Sequence, residues 1–170
     1  MKKIIAIAIS LLFMASVLIE NAMAADGDLI WEKRYDSGYE DRARDVATDS
    51  HNNIVVVGSV SYDNHLDACG YIIKYNQNGK VIWEKRFTDT DPGRAQGVAI
   101  DAQNNIIVTG NNFSGNLDYY TIKYDPKGNV IWEKRYVCIY HGTALDVATD
   151  SNNNIVVVGG VSNNYGYDWH

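Results

Sequence analysis

The sequence predicts an all-β protein, a β-propeller built from four-stranded antiparallel blades, incomplete at just under three blades. Two observations carry this. The string IWEKR occurs at residues 30–34, 82–86 and 131–135, and Trp31, Trp83 and Trp132 recur at intervals of 52 and 49 residues, as Ala47, Ala99 and Ala148 do. Each repeat also divides into short alternating or β-branched runs separated by Asn, Gly and Pro turns, and no run carries an apolar stripe of 3.6-residue period. Four strands in a repeat of about 50 residues is the pattern of a propeller blade. A plain sandwich also suits evenly spaced strands, but it has no reason to reuse one unit.

Residues 1–24 read as a secretory signal peptide. Lys2 and Lys3 precede an apolar run over 4–19, and Ala22 and Ala24 supply the small residues of a cleavage site. That run falls short of the roughly 20 residues a membrane span needs. Residues 25–170 are therefore expected to form one exported domain, periplasmic, cell-surface or secreted, with no membrane span once the signal is removed.

The domain opens on a blade-closing strand, 29–35. Blade 1 is expected over about 43–87, blade 2 over about 95–136 and a partial blade 3 over about 144–170. In each blade the first strand is DVATD, GVAID or DVATD, with valine and alanine on opposite faces. SHNN, AQNN and SNNN turns follow, whose asparagines tolerate the left-handed conformation of a tight reversal. The second strand, IVVVG or IIVTG, is a β-branched run that implies burial on both faces. After a variable loop comes the third strand, YIIKY or YTIKY, closed by NQNG or DPKG, where Pro126 presets φ and Gly79 or Gly128 supplies a positive one.

The fourth strand carries IWEKR. Alternation puts Trp83, Lys85 and Phe87 on one face and Ile82, Glu84 and Arg86 on the other. The aromatic pair is expected to wedge between neighbouring blades, the alternating charges to keep an outer edge from pairing with foreign strands, and Glu84 and Arg86 to ladder with their counterparts in adjacent blades. Trp31, Trp83 and Trp132 are thus read as structural blade residues.

The strings DVATDSHNNIVVVGSV, GVAIDAQNNIIVTGNN and DVATDSNNNIVVVGGV, with the IKY and VIWEKR segments that follow the first two, resemble the secreted bacterial and archaeal seven-bladed β-propeller repeat family. The likeness covers nearly all of residues 25–170. It implies an extracytoplasmic propeller, commonly part of surface or secreted assemblies, and transfers no catalytic residues. KYNQNGKVIWEKRF and KYDPKGNVIWEKRY are more weakly similar to the repeats of quinoprotein-like propellers, in which a glycine turn precedes a docking tryptophan. Closed propellers typically hold four to eight blades, so the ring calls for further blades or for self-association.

A formal charge of −6 argues against nucleic acid as a partner, because phosphate binding needs a concentrated basic surface. Cys69 and Cys138 are free to bridge or to stay apart in an oxidising compartment. The loops between second and third strands and those leading into each first strand vary from repeat to repeat and fall on one end, the default ligand face. Candidates there are Arg42, Arg44, Asp45, Arg94, Gln96, His141 and Asp146, set against the plainer alternative of solvated loop residues. His141 lacks a second ligand at zinc spacing, and the DTDPG stretch at 89–93 lacks the rest of a calcium loop. No catalytic, cofactor-binding or metal residue is assigned. The expected function is a non-enzymatic binding or scaffold module with a protein or glycan partner. The alternatives are a fragment of a quinoprotein-like redox enzyme, or a propeller acting on polysaccharide with Asp45 and Asp146 as paired carboxylates.

Overall fold

The computed structural model describes residues 4–7, 28–61, 68–88, 93–112, 117–163 and 166–169. All regular structure among them is strand, with no helix. Strands β1 (Ile4–Ile7) and β2 (Leu29–Lys33) pair in parallel. Next comes an antiparallel sheet of β3 (Asp41–Thr48), β4 (Ile54–Ser61), β5 (Ala68–Tyr75) and β6 (Val81–Arg86), joined in chain order. A second sheet repeats the order with β7 (Gly93–Ile100), β8 (Ile106–Asn112), β9 (Asp118–Tyr124) and β10 (Val130–Tyr136). A third contains β11 (Gly142–Thr149), β12 (Ile155–Asn163) and β13 (Gly166–Trp169). These antiparallel meanders are propeller-like blades.

The turns take the conformations their residues favour. Asn52, Asn104 and Asn153 close the first hairpin of each sheet at φ 59, 64 and 62°, in the left-handed region that asparagine tolerates. Gly79 and Gly128 close the third-to-fourth hairpins, also with positive φ. The asparagine turns also link the sheets. Ser50 N–H donates to Asn104 Oδ1 at 2.9 Å, and Ala102 N–H donates to Asn153 Oδ1 at 3.1 Å.

The core lies between sheets. Val55, Val57 and Ile72 of the first sheet meet Val98, Ile106, Val108, Ile122 and Tyr124 of the second, with Phe87 sealed among them. The opposite face of the first sheet, with Ile54, Val56, Ile73 and Tyr75, packs against Trp31 and Tyr35. The second strands β4 and β8 are buried on both faces, as their β-branched runs require. β12 departs from this. Val156 and Val158 are about half exposed, because no described element lies over that face of the third sheet.

Two of the three repeated tryptophans, Trp31 and Trp83, dock on a neighbouring sheet. Trp31 donates its indole N–H to Gln77 O at 2.9 Å and packs on Gly79, and Trp83 donates to Pro126 O at 3.2 Å and packs on Gly128. Each indole thus seats on the glycine turn of the following sheet, where a β-carbon would press into the ring. Phe87 meets Tyr120 edge-on at 5.4 Å. The expected ladder of charges between blades takes another form in the second sheet. Arg135 Nε donates to Asp118 Oδ2 at 2.6 Å, and the Tyr120 hydroxyl donates to Glu133 Oε2 at 2.7 Å. Both contacts run within one sheet, between β9 and β10, whose paired side chains are nearer than those of the next sheet.

Two buried ion pairs lie beneath the hairpins. Lys74 Nζ is 2.9 Å from Asp49 Oδ2, and Lys123 Nζ is 2.8 Å from Asp101 Oδ2. Each aspartate also accepts the side-chain amide of the asparagine four residues on, Asn53 or Asn105, at 2.9 Å.

Candidate functional site

The first strand of each of the three antiparallel sheets carries a bulge at one repeat position. Register shifts between Ala43 and Asp45, between Ala95 and Gly97, and between Ala144 and Asp146. The extra residues are Arg44, Gln96 and Leu145. Opposite the bulge sits the glycine that ends IVVVG or IIVTG. A β-carbon on Gly58 would run into the carbonyl oxygen of Arg42, and one on Gly110 into that of Arg94. The glycine lets the strands close in, and the bulge turns one residue out of the ladder.

The arginines among the sequence candidates gather around the first of these bulges. Arg42 forms an exposed ion pair with Glu40, and the Arg42 Nε donates to Glu40 Oε1 at 2.8 Å. Arg44 has its pKa lowered by partial burial, then by the charges of Arg42 and Arg94, with Glu40 opposing. A cavity of about 340 Å³ opens beside Asp41, Arg42, Ala43 and Arg44.

The remaining candidates differ in role. Asp45 Oδ2 accepts the Val98 N–H at 2.8 Å, tying the first sheet to the second. Asp146 Oδ1 accepts the Val147 N–H, and its backbone lies so close to Gly97 that a β-carbon there would stand 2.9 Å from the Asp146 Cα. Each carboxylate has a backbone amide at a junction between sheets. Gln96 occupies the second bulge. His141 is exposed, and its carbonyl accepts from Ser162 N–H and Oγ at 2.7 and 3.1 Å. With Ser61 N–H donating to Glu40 O and Gly142 N–H to Leu117 O, these bonds bring the loops entering the first strands to the same end as the loops leaving the second. Much of both loop sets, including 62–67, 89–92, 113–116 and 164–165, lies outside the described residues, as do the proposed cleavage site and most of DTDPG.

Sequence reasoning missed a cavity of about 630 Å³ between the second and third sheets. Tyr119, Tyr136, Cys138, Ile139, Tyr140 and Val157 are among its lining residues. Val137 and Ile139 are exposed beside it at 71 and 84%, which makes the loop an apolar patch. Asp118 anchors this loop through the Cys138 N–H at 2.9 Å. The Tyr119 hydroxyl is buried without a hydrogen-bond partner among the described residues. The signal in the sequence was VCIY at 137–140, apolar where the other repeats have polar residues. Cys69 and Cys138 are both free thiols, and burial pushes the Cys138 thiol pKa up. No group of three or more His, Cys, Asp or Glu among the described residues is arranged to hold a metal ion.

No family model matches the chain. An uncharacterized WD repeat-containing protein of Acanthamoeba polyphaga mimivirus is 30% identical over 125 aligned residues, taking in 58% of this chain and 9% of that protein. The chain therefore spans under a tenth of this relative's length. Among solved structures, a protein of unknown function from Bacteroides caccae superposes with a TM-score of 0.55 at 12% identity, over 83% of this chain and 48% of the other. The repeat relative and the blade-like sheets agree on a propeller-type architecture, and the solved structure supports the fold alone.

Proposed function

We propose that this chain is a propeller-type binding module whose inner-strand rim receives an acidic segment of a protein partner. The observation that carries this reading is Arg44. It is placed by a bulge that frees it from the strand ladder, and it is held near Arg42 and Arg94 at an electrostatic disadvantage that an incoming carboxylate would relieve. Its repeat equivalents, Gln96 and Leu145, stand on the same frame with other chemistry, so the frame does not demand arginine. A glutamate-rich peptide is a direct probe. Its affinity should fall with added salt and weaken at least about fivefold in Arg44→Ala, as loss of a charge-assisted contact does. Equal binding by wild type and variant would remove the reading.

Glycan is a second candidate partner, favoured by Tyr136 and Tyr140 beside the larger cavity. A glycan array with Tyr140→Ala as control separates it from the first. The same reading takes the protein to be exported and to belong with secreted seven-bladed repeat proteins. Support for export comes from Lys2, Lys3 and the apolar run 4–19. N-terminal sequencing of protein recovered outside the cytoplasm should begin at Ala25, and a retained Met1 would refute export by this route.

A further inference from the structure

The three bulged positions share one frame, and the structure sets them side by side. Asp45, the residue after Arg44, accepts the Val98 N–H of β7 at 2.8 Å. Gly97, the residue after Gln96, lies so close to β11 that a β-carbon on it would stand 2.9 Å from the Asp146 Cα and 3.2 Å from the Val147 nitrogen. Asp146 is in turn the residue after Leu145. Each of the first two bulges is therefore stitched, at its following residue, to the first strand of the next sheet. Arg44, Gln96 and Leu145 form a row across β3, β7 and β11.

The row stays open where the strands around it are closed. Ala95 and Val98 flank Gln96 at 0 and 5% exposure, yet Gln96 itself is only partly buried. Its sheet packs against the first sheet on one side and the third on the other, so a sheet on both sides does not close the position. Arg44 is exposed in the same way. In β11, Ala144 and Val147 are buried at 0 and 6%, while the leucine between them at the bulge is 43% exposed and stands outside that core.

We infer that this row binds one extended segment that is acidic where it meets the first sheet and apolar where it meets the third. Resting on the acidic-segment reading above, this adds an apolar requirement to the same site. Arg44 offers a fork of charged donors to a carboxylate. Gln96 offers an amide that both donates and accepts, which suits the segment's main chain. Leu145 offers only apolar area, so an apolar side chain gains by covering it, whereas a carboxylate there gives up water and finds no partner.

Three labelled hexapeptides test this with the full chain: hexaglutamate, three glutamates followed by three leucines, and the reverse of that order, since the direction of the segment is left open. In fluorescence anisotropy, the better of the two mixed peptides should bind wild type at least about threefold more tightly than hexaglutamate, as burial of apolar side-chain area does. Leu145→Ser should abolish this preference and leave hexaglutamate binding unchanged. The position is exposed, so urea unfolding of the variant should match wild type. Arg44→Ala should weaken all three peptides, and this arm separates the two claims. If it weakens none, the acidic-segment reading falls and the row falls with it. If it weakens them all but hexaglutamate binds as well as the mixed peptides, or the preference survives in Leu145→Ser, the row alone is overturned.

Discussion

Lys74 Nζ lies 2.9 Å from Asp49 Oδ2, and both side chains are almost wholly sealed from solvent, at 3 and 1% exposure. Lys74 also reaches Pro126 O at 3.3 Å, the acceptor of the Trp83 indole, so one ammonium connects the first sheet's hairpin to the docking turn of the second. Removing one partner of a buried pair strands the other charge and costs about 3–5 kcal/mol. Lys74→Met should therefore destabilise by about 3 kcal/mol in urea unfolding. The double variant Asp49→Asn, Lys74→Met should recover part of that loss, and strict additivity would deny the pairing.

Acid should reveal the same pair. Burial alone would raise the Asp49 pKa, but hydrogen bonds from Asn53 and Lys74 outweigh it and hold the carboxyl at about 2. A depressed folded-state pKa gives stability that is full above the unfolded value near 4 and is lost as pH falls through about 2. The loss from this site should be about 2 kcal/mol. Asp101 is shifted in the same direction. Unfolding free energy measured from pH 5 to pH 2 should fall, and the fall should be smaller in Lys74→Met.

Asn104 combines a left-handed backbone with an acceptor for Ser50, and the two contributions separate by substitution. Asn104→Gly keeps the backbone and loses the acceptor, for a cost of about 1 kcal/mol. Asn104→Ala also incurs the left-handed penalty and should cost about 1–2 kcal/mol more. Equal losses in thermal melts would mean that φ is not limiting there.

The tryptophans should rank by what they touch. Trp83→Ala removes a half-buried ring from Gly128 and Tyr124 and an indole bond to Pro126, at a cost of about 3 kcal/mol, the low end of the range for buried aromatics. Trp31→Ala should be similar. Trp132 has no aromatic or hydrogen-bond partner among the described residues, so Trp132→Ala should cost less in the isolated chain. A loss equal to that of Trp83→Ala would mean that the ring is docked in solution.

Gly110→Ala should be severe, above about 3 kcal/mol, because the new methyl meets the Arg94 carbonyl inside a paired strand and side-chain motion cannot relieve a backbone clash. A near-neutral effect would mean that the bulge in β7 can relax.

Most of the framework was legible because it is periodic and repeated. The β-branched IVVVG runs, the asparagine reversals and the tryptophan before a glycine turn each state a local requirement, and each recurs at a fixed interval. The bulges at Arg44, Gln96 and Leu145 were not read, since register depends on how closely two strands approach and not on either strand alone. The repeated glycine opposite them was the available sign. The Asp49–Lys74 pair was missed because its members lie on different strands, although a lysine kept inside the apolar IKY string marked it. Of the site, the sequence indicated the end of the molecule but not the grouping of Arg42, Arg44 and Arg94 around one bulge. It counted VCIY among the variable loops but not the cavity beside it, which depends on the sheet that faces it.

The first-strand bulges separate what a side chain is from what its backbone must do. Arginine, glutamine and leucine already occupy the same outturned position in successive units without altering the pairing around them. Such a position is open to natural drift and to deliberate grafting alike: new recognition chemistry can be installed there while the parent scaffold folds as before.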